Sequence, residues 1–260
     1  VYGFTHAADH GWSSTGTIVF IALAVVLLAA FAVVQTRVSN PLLPLRVITH
    51  RVRAGAFLVQ AALGSVLIGS TMYLAFHLQI VEGMSPMIAG LATVVLTVAT
   101  LVVVPFLTRM LPVWGPRPMM IGGPLIAAAG IFWLSFVSAG GSYVSEVLPG
   151  LILVGLGVGT TFVPLQNLAL VGVEPSDAGA ASATVNAAMQ IGGSVGLSIF
   201  ALAAAGAAES ATADGAQPLE VLADSYGAVF RTAAIVLVLA GLVAFGCVRG
   251  RKEDLLPDHG

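Results

Sequence analysis

Seven apolar stretches, each long enough to cross a lipid bilayer, constrain this chain more than any other feature of its sequence. A hydrocarbon core of about 30 Å is crossed by about 20 helical residues. Stretches of that length occupy residues 16–35, 54–79, 87–109, 117–138, 145–170, 179–206 and 228–248. Open strands leave backbone groups unpaired in lipid, and the sequence has no sustained strand-like alternation. We therefore predict an all-α membrane protein with seven transmembrane helices.

The composition agrees with a chain whose solvent is lipid. Hydrophobic residues make up 58% of the sequence and charged residues only 8%, whereas soluble domains carry about 25% charged residues. The net charge of −2 provides no basic field of the kind that binds nucleic acid. A single cysteine, Cys247, excludes a disulfide framework, and we expect neither a metal nor an organic cofactor. Because the chain begins with Val1, we interpret it as a piece of a longer protein that does not open with a signal peptide.

Basic residues fall almost entirely on one side of the predicted membrane. Seven spans place alternate connections on opposite sides, and one set of connections holds Arg37, Arg46, Arg51, Arg53, Arg109, Arg117, Arg249, Arg251 and Lys252. The other set holds only Arg231. Cytoplasmic loops of membrane proteins are enriched in Lys and Arg. The pattern therefore predicts a multi-pass protein of the cell membrane with an external N-terminus and a cytoplasmic C-terminus.

Two of the predicted connections are long. Residues 36–53 contain two prolines among apolar residues and are expected to lie along the membrane face. Residues 207–227 are expected to form a solvated external connector, with the acids Glu209, Asp214, Glu220 and Asp224. The remaining connections are short, which favours antiparallel packing of successive helices.

Small residues mark two of the predicted helices as close-packing surfaces. Gly155 and Gly159 form one GxxxG pair, and Gly192 and Gly196 form another. In lipid, helices associate through close backbone approach over small residues. The pairs indicate either static packing or a seam along which helices slide, and the sequence does not decide between them. Pro164 interrupts the hydrogen bonding of its helix, and the threonines one turn earlier are expected to satisfy the freed carbonyl.

Polar side chains lie at membrane depth on three predicted helices. They are Gln60, Thr71, Tyr73, His77, Gln166, Asn167, Asn186 and Gln190. Such groups normally face the bundle interior or a hydrated cavity. Taken singly, each is typical of an interhelical hydrogen bond. Taken together, they favour a partly hydrated substrate pathway. No charged residue is predicted in the middle of a span, and His77 lies near the outer end of its helix.

Other membrane machines are excluded by what the spans lack. A retinal protein requires a lysine in the last helix, a b-type cytochrome requires paired histidines, and a metalloprotease requires HExxH. None of these is present in the spans, and a Ser/His protease would have to rely on His77. We predict that the chain is not an enzyme. A non-transporting membrane receptor or scaffold remains the alternative to a transporter.

Four motifs in order resemble a known family. They are GWSSTGTI, then Q-x-R-x-x-x-PLLPLR, then P-x-x-x-R with GPRP, then VEPSDAGAASATVNAAMQIGG. Together they resemble the C-terminal half of a major facilitator superfamily transporter of the fourteen-helix bacterial drug:proton antiporter group. The resemblance implies that residues 1–15 are the tail of a preceding helix and an external loop. Residues 16–53 would be an extra helix with a cytoplasmic linker, 54–248 the C-terminal six-helix domain, and 249–260 a cytoplasmic tail.

The resemblance also implies a mechanism and partners. Such transporters expel lipophilic compounds by rocking two six-helix halves about a central site, with protons as the coupling ion. The partners would be a small-molecule substrate, the bilayer and the missing N-terminal half, where the family's principal proton-binding acids lie. Arg109, Gly115 and Arg117 match the family's cytoplasmic gating loop. Pro112 and Val113 stand where the family typically has an Asp-Arg pair.

Overall fold

Seven long helices make up most of the chain. The computed structural model describes residues 6, 11, 14–38 and 48–249. The helices are α1 (Thr15–Arg37), α2 (Arg51–Phe76), α3 (Pro86–Trp114), α4 (Pro116–Leu134), α5 (Leu148–Leu170), α6 (Ala178–Ala213) and α7 (Pro218–Cys247). A π-helical turn extends α2 through His77–Val81, a second precedes α5 at Tyr143–Val147, and a short 3₁₀ turn at Pro175–Asp177 precedes α6. All seven are long and apolar enough to cross a membrane, which confirms the predicted all-α membrane fold.

Proline and capping side chains fix where several helices begin. Pro86, Pro116 and Pro218 stand in the first turns of α3, α4 and α7, where a missing N–H leaves no intrahelical bond unmade. Glu220 completes a capping box by accepting from the Gln217 N–H at 2.9 Å. These signals start α7 ten residues before the predicted span.

The predicted connector at 207–227 is consequently much shorter in the structure. An alanine-rich sequence with high helix propensity carries α6 to Ala213, and α7 begins at Pro218. Only residues 214–217 link the two helices. Glu209, Glu220 and Asp224 are exposed on helical turns rather than in a loop. The prediction of a long solvated loop was wrong because apolar length marks only the membrane-embedded part of a helix, and both helices continue beyond their apolar stretches.

The predicted gating loop also differs from its expected form. Gly115 alone joins α3 to α4, with φ 79° and ψ 166°. Its N–H donates to the Leu111 carbonyl at 2.9 Å. Arg109 lies exposed in the last turns of α3, and Arg117 lies in the first turn of α4 with its guanidinium carbon 5.6 Å from the centre of the Phe245 ring. The three residues are therefore parts of two helix ends and one turn.

We expect Gly115→Ala to lower the free energy of unfolding by about 1–3 kcal/mol, because this region of φ and ψ is nearly restricted to glycine. The matched control is Gly122→Ala in α4, where an added Cβ meets nothing within 4 Å and helix propensity improves. Thermal unfolding in detergent measures both variants. Equal midpoints for the two would contradict the assignment of strain to Gly115.

The core of the bundle is formed by α2, α4, α5, α6 and α7. Helix α2 packs against α5, α6 and α7, and α4 packs between α5 and α7. Helix α3 lies along α5, and α1 makes no extensive contact with another described helix. The largest fully buried side chains include Leu63, Leu151, Phe200, Phe230 and Leu237. These residues belong to the main core, and a smaller cluster of Leu107, Leu111 and Met119 lies between α3 and α4.

Backbone contact over glycine joins the helices pairwise. A Cβ added at Gly155 would collide with the Leu96 carbonyl of α3, and one at Gly159 would collide with Val103. A Cβ at Gly192 would collide with the Ala61 carbonyl of α2, and one at Gly196 would collide with Ser65. These glycines therefore lie where two backbones touch. Whether the contacts slide during function remains a prediction.

Pro164 is buried inside an uninterrupted α5. The Thr160 hydroxyl donates to the Leu156 carbonyl at 2.7 Å, and the Thr161 hydroxyl donates to the Gly157 carbonyl at 2.8 Å. The prediction that these threonines satisfy the carbonyl freed by Pro164 was therefore wrong. A helical threonine reaches back to the carbonyl four residues earlier, and that direction leads away from the proline.

Candidate functional site

The two ends of the bundle have different chemistry. We call the end with the start of α2, the α3–α4 turn and the finish of α7 the basic end. The opposite end, with the α2–α3, α4–α5 and α6–α7 connections, is the acidic end. The basic end holds described arginines at positions 51, 53, 109, 117 and 249, together with the acids Glu174 and Asp177 between α5 and α6. The described acids at the acidic end are Glu82, Glu146, Glu209, Asp214, Glu220 and Asp224.

Two arginines at the basic end hold the ends of neighbouring helices. Arg53 is 5% exposed, and its Nη1 donates to the Val171 carbonyl at 2.7 Å, at the finish of α5. Exposed Arg51 donates from Nη2 to the Gly246 carbonyl at 2.6 Å, near the finish of α7. A cation at a helix C-terminus satisfies unpaired carbonyls and opposes the helix dipole. Sequence reasoning counted these residues only as topology signals, because their partners are remote in the chain.

The eight predicted pathway residues lie at three levels of the bundle. Gln166 and Asn167 lie at the basic end of α5. Gln60, Asn186 and Gln190 lie at the level of the α2–α6 contact, since Gly64 packs against Met189 and Gly192 against Ala61. Further along α2 toward the acidic end are Thr71, Tyr73 and His77. The structure therefore brings the residues together in groups rather than as one continuous cluster.

The middle level combines a buried amide with two exposed amides. Gln60 is 2% exposed, and its Oε1 has no hydrogen-bond partner. Asn186 and Gln190 are exposed on one face of α6. The Asn186 amide donates to the Ser182 carbonyl of its own helix at 3.2 Å. This level therefore offers polar groups both inside the bundle and on its surface.

Other predicted polar residues bond within their own helices. The Asn167 amide donates to the Val163 carbonyl at 3.4 Å. The Thr71 hydroxyl donates to the Leu67 carbonyl, and Gln166 is exposed. These bonds leave the pathway role of each residue as a prediction.

A cluster at the acidic end was not recognised from the sequence, apart from Tyr73 and His77. The ring centre of Tyr226 in α7 lies 5.8 Å from that of Tyr73 and 6.2 Å from that of His77. The Nε2 atom of His77 lies 3.4 Å from Oε1 of Glu82. Burial, together with the nearby charge of Glu146, raises the pKa of Glu82. Glu82 escaped notice because it follows the apolar stretch and carries no motif.

A charged residue also lies further inside a helix than predicted. Arg231 was assigned to an external connection, but the early start of α7 places it near the middle of that helix. Gly227, one turn earlier, packs against the Ser135 carbonyl at the finish of α4, so Arg231 remains near the acidic end of the bundle. It is exposed and lines an apolar groove of about 530 Å³ between α4 and α7.

The match to known proteins covers most of the chain. The Major Facilitator Superfamily profile matches residues 3–197. The chain belongs to the Major Facilitator Superfamily. This finding confirms the predicted family and, because the superfamily comprises transporters, the prediction that the chain is not an enzyme.

Curated superfamily members are similar over nearly the whole chain. The puromycin resistance protein pur8 of Streptomyces alboniger is 35% identical over 97% of this chain and 52% of its own length. The cephamycin export protein CmcT of Amycolatopsis lactamdurans is 31% identical over 91% of this chain and 48% of its own. A tetracenomycin C resistance and export protein of Streptomyces glaucescens is 31% identical over 77% of this chain and 37% of its own. The chain spans about half the length of the first two.

Proposed function

We propose that the protein containing this chain exports small lipophilic compounds, antibiotics among them, across the cell membrane by alternating access. The observation that carries this proposal is the similarity, over 97% of the chain, to a protein named for puromycin resistance. The cephamycin and tetracenomycin C proteins, both named for export, support the same direction of transport. The helical bundle supplies the lipid-embedded wall that such transport requires.

The missing partner of this bundle is a second bundle from the same protein. Helix α3 packs along α5 and leaves most of its length exposed, including Met87, Leu91, Leu101 and Val102. Helix α6 also has an exposed face, which carries the two amides of the middle level. An N-terminal half would cover these faces and enclose a pathway between the halves, the general location of transporter sites.

The basic end is proposed to be cytoplasmic. Lys and Arg are enriched in cytoplasmic connections of membrane proteins, and the described arginines at positions 51, 53, 109, 117 and 249 all lie at the basic end. The C-terminus follows α7 at the basic end and would therefore be cytoplasmic. Arg46, Arg251 and Lys252, which contributed to the same prediction, lie outside the described residues.

Protons are proposed as the coupling ion, with the principal coupling acids in the other half of the protein. The experiment uses the complete transporter in proteoliposomes with an imposed proton gradient and puromycin as the first test compound. Export that collapses when the gradient is dissipated supports the antiporter. Binding without movement of the compound would instead support the alternative of a non-transporting receptor or scaffold.

The two exposed amides of α6 provide a test of the pathway. We expect Asn186→Ala combined with Gln190→Ala to reduce export at low compound concentration about tenfold, since one lost hydrogen bond is worth about 1–1.5 kcal/mol. Ser210→Ala is the control on the same helix, because that exposed hydroxyl bonds to its own helix at Gly206. Unchanged export and unchanged compound range in the double variant would make the amides structural only.

A further inference from the structure

A fully buried histidine lies at the acidic end without a hydrogen bond. His77 is 0% exposed, and neither of its ring nitrogens has a hydrogen-bond partner. Its Nε2 lies 3.4 Å from Oε1 of Glu82, whose side chain is 7% exposed. Oε1 is likewise without a hydrogen bond, because the contact is close but poorly aligned. A buried polar group normally finds a partner, so this pair points to a ligand that satisfies both atoms.

The π-helical turn is what brings the two side chains together. In a regular α-helix, residues five apart point about 140° away from each other at about 3.6 residues per turn. Here the Glu82 N–H donates to the His77 carbonyl at 3.1 Å, which closes the wider turn and aligns the two residues. Single π turns occur frequently at functional sites. The local backbone therefore creates the pair rather than merely tolerating it.

The surrounding helices add one further carboxylate and three phenols. From the α4–α5 region, Glu146 acts electrostatically on both members of the pair, and Tyr143 feels the charge of Glu82. Helix α7 contributes Tyr226, and α2 itself contributes Tyr73. The charged residues of α6, of α7 and of the link between them are exposed in this part of the bundle: Glu209, Asp214, Glu220, Asp224 and Arg231. Helix α3 carries only Arg109 and α4 only Arg117, both at the opposite end.

The carboxylate of Glu146 already has hydrogen-bond partners. Its carboxylate accepts from the Ser138 N–H at 2.8 Å and from the Ser138 hydroxyl at 3.0 Å. Tyr143 likewise has a separate partner, since its hydroxyl donates to the Ala92 carbonyl at 2.8 Å. Neither residue is therefore available to satisfy the histidine. A metal ion does not fit either, since the described residues contain no group of three His, Cys, Asp or Glu side chains placed to hold one.

We propose that His77 and Glu82 form a proton-binding site, in which a single proton taken from water is shared between Nε2 of His77 and Oε1 of Glu82. Without this proton, a neutral imidazole faces a buried carboxylate that is also repelled by Glu146. With it, the pair has no net charge, and Nε2 and Oε1 are both satisfied by one hydrogen bond in which the protonated carboxyl donates to the imidazole. Proton binding therefore favours close packing of the π turn against α3 and α7.

The raised pKa of Glu82 determines whether the pair stabilises the folded state at acidic or at alkaline pH. A carboxyl group that holds its proton to a higher pH when folded than when unfolded stabilises the folded state at acidic pH. That contribution to stability is complete when the pH is below the ordinary pKa of a carboxyl group, and it is lost as the pH rises through the raised pKa. The acidic end should consequently loosen as the solution becomes more alkaline.

The site does not depend on the proposed proton-driven export. Protonation of this pair is a property of the packed acidic end and is measurable without a transported compound. A transporter driven by another ion would leave the inference intact. Conversely, proton-driven export by a protein whose Glu82 gives no protonated-carboxyl signal would overturn the inference and leave the proposed function standing.

The test is infrared difference spectroscopy of the complete purified protein between acidic and alkaline buffers, with thermal unfolding over the same pH range. We expect a protonated-carboxyl signal that disappears in Glu82→Gln. The same variant should lose the part of the pH dependence of the thermal midpoint that Glu82 causes. Its thermal midpoint at alkaline pH should be higher than that of the unsubstituted protein, because glutamine resembles the protonated acid. Glu209→Gln, an exposed acid on α6 at the same end, is the matched control and should change neither readout.

Two further variants test the sharing of the proton. His77→Gln removes one of the two bases and should move the pH midpoint of the infrared signal to lower pH by about one unit, or tenfold in proton affinity. Glu146→Gln removes the neighbouring negative charge and should also move it to lower pH. A signal that survives Glu82→Gln, or a midpoint unaffected by both His77→Gln and Glu146→Gln, would overturn the proposal.

Discussion

Gly192→Val is expected to lower the free energy of unfolding by about 3 kcal/mol or more, at the upper range for overpacking a close contact. The physical reason is that any side chain at this position enters the backbone of α2 at Ala61. A carbonyl group in a helix cannot rotate aside as the end of a flexible side chain does. The helices would have to separate, and the adjacent contact between Gly196 and Ser65 would separate with them.

The matched control for Gly192→Val is Gly206→Val on the same helix, where an added Cβ meets nothing within 4 Å. Both variants insert the same β-branched residue and raise the apolarity of α6 equally. Membrane insertion follows the hydrophobicity of the segment, so both should insert. Unfolding in detergent and export in proteoliposomes are then compared. Equal stability of the two variants would show that α2 and α6 do not touch at this glycine.

Alanine at the same two positions separates static packing from a sliding seam. If the α2–α6 contact only holds the bundle together, export and stability should fall in proportion. If the contact also slides, Gly192→Ala should reduce export more than it reduces stability. A small side chain is enough to block sliding but separates the helices less than a large one does. Gly206→Ala provides the baseline for the smaller substitution.

Arg53→Met is the second large effect, with an expected loss of about 2–3 kcal/mol in the free energy of unfolding. Arg53 is buried, and its bond to Val171 connects the start of α2 to the finish of α5. Methionine keeps much of the apolar stem but leaves the carbonyl without its charged donor. The cost combines a lost charge-assisted bond with a helix C-terminus whose dipole is no longer opposed.

Arg51→Met is the control for Arg53→Met, because it removes the same charge from the same end of α2. The exposed Arg51 bonds to Gly246, and water can replace much of that interaction, so its loss should cost about 1 kcal/mol or less. Chemical unfolding and the orientation of the inserted protein are measured together. Identical stability losses in the two variants would attribute the effect to net charge rather than to the contact with α5.

The two arginines show the limit of reasoning from local sequence. Their positive charge predicted which end of the bundle would be basic. That inference required only their position relative to the apolar stretches. Their bonding partners lie 118 and 195 residues further along the chain. Nothing near positions 51 and 53 indicates that the finishes of α5 and α7 will meet the start of α2. The structural role therefore appeared only after the helices were packed.

The wrong prediction of a long connection between α6 and α7 had a local cause. The short 214–217 link was predictable from Gln217, Pro218 and Glu220, which together form a recognisable helix start. Apolar length was used instead, and it measures the membrane-embedded part of a helix rather than the whole helix. Helix boundaries in membrane proteins therefore need capping signals in addition to hydropathy.

The sequence by itself determined that this chain crosses the membrane seven times, which family it resembles and which end of the bundle is basic. Each of these follows from properties of one segment at a time: apolar length, motif order and charge relative to a span. Only the tertiary structure decided that Gly192 meets Ala61, that Arg53 holds the finish of α5, and that Glu146 faces His77 and Glu82. In lipid every apolar face is equally well solvated, so the choice of partner depends on close fit and on a few polar contacts between remote segments.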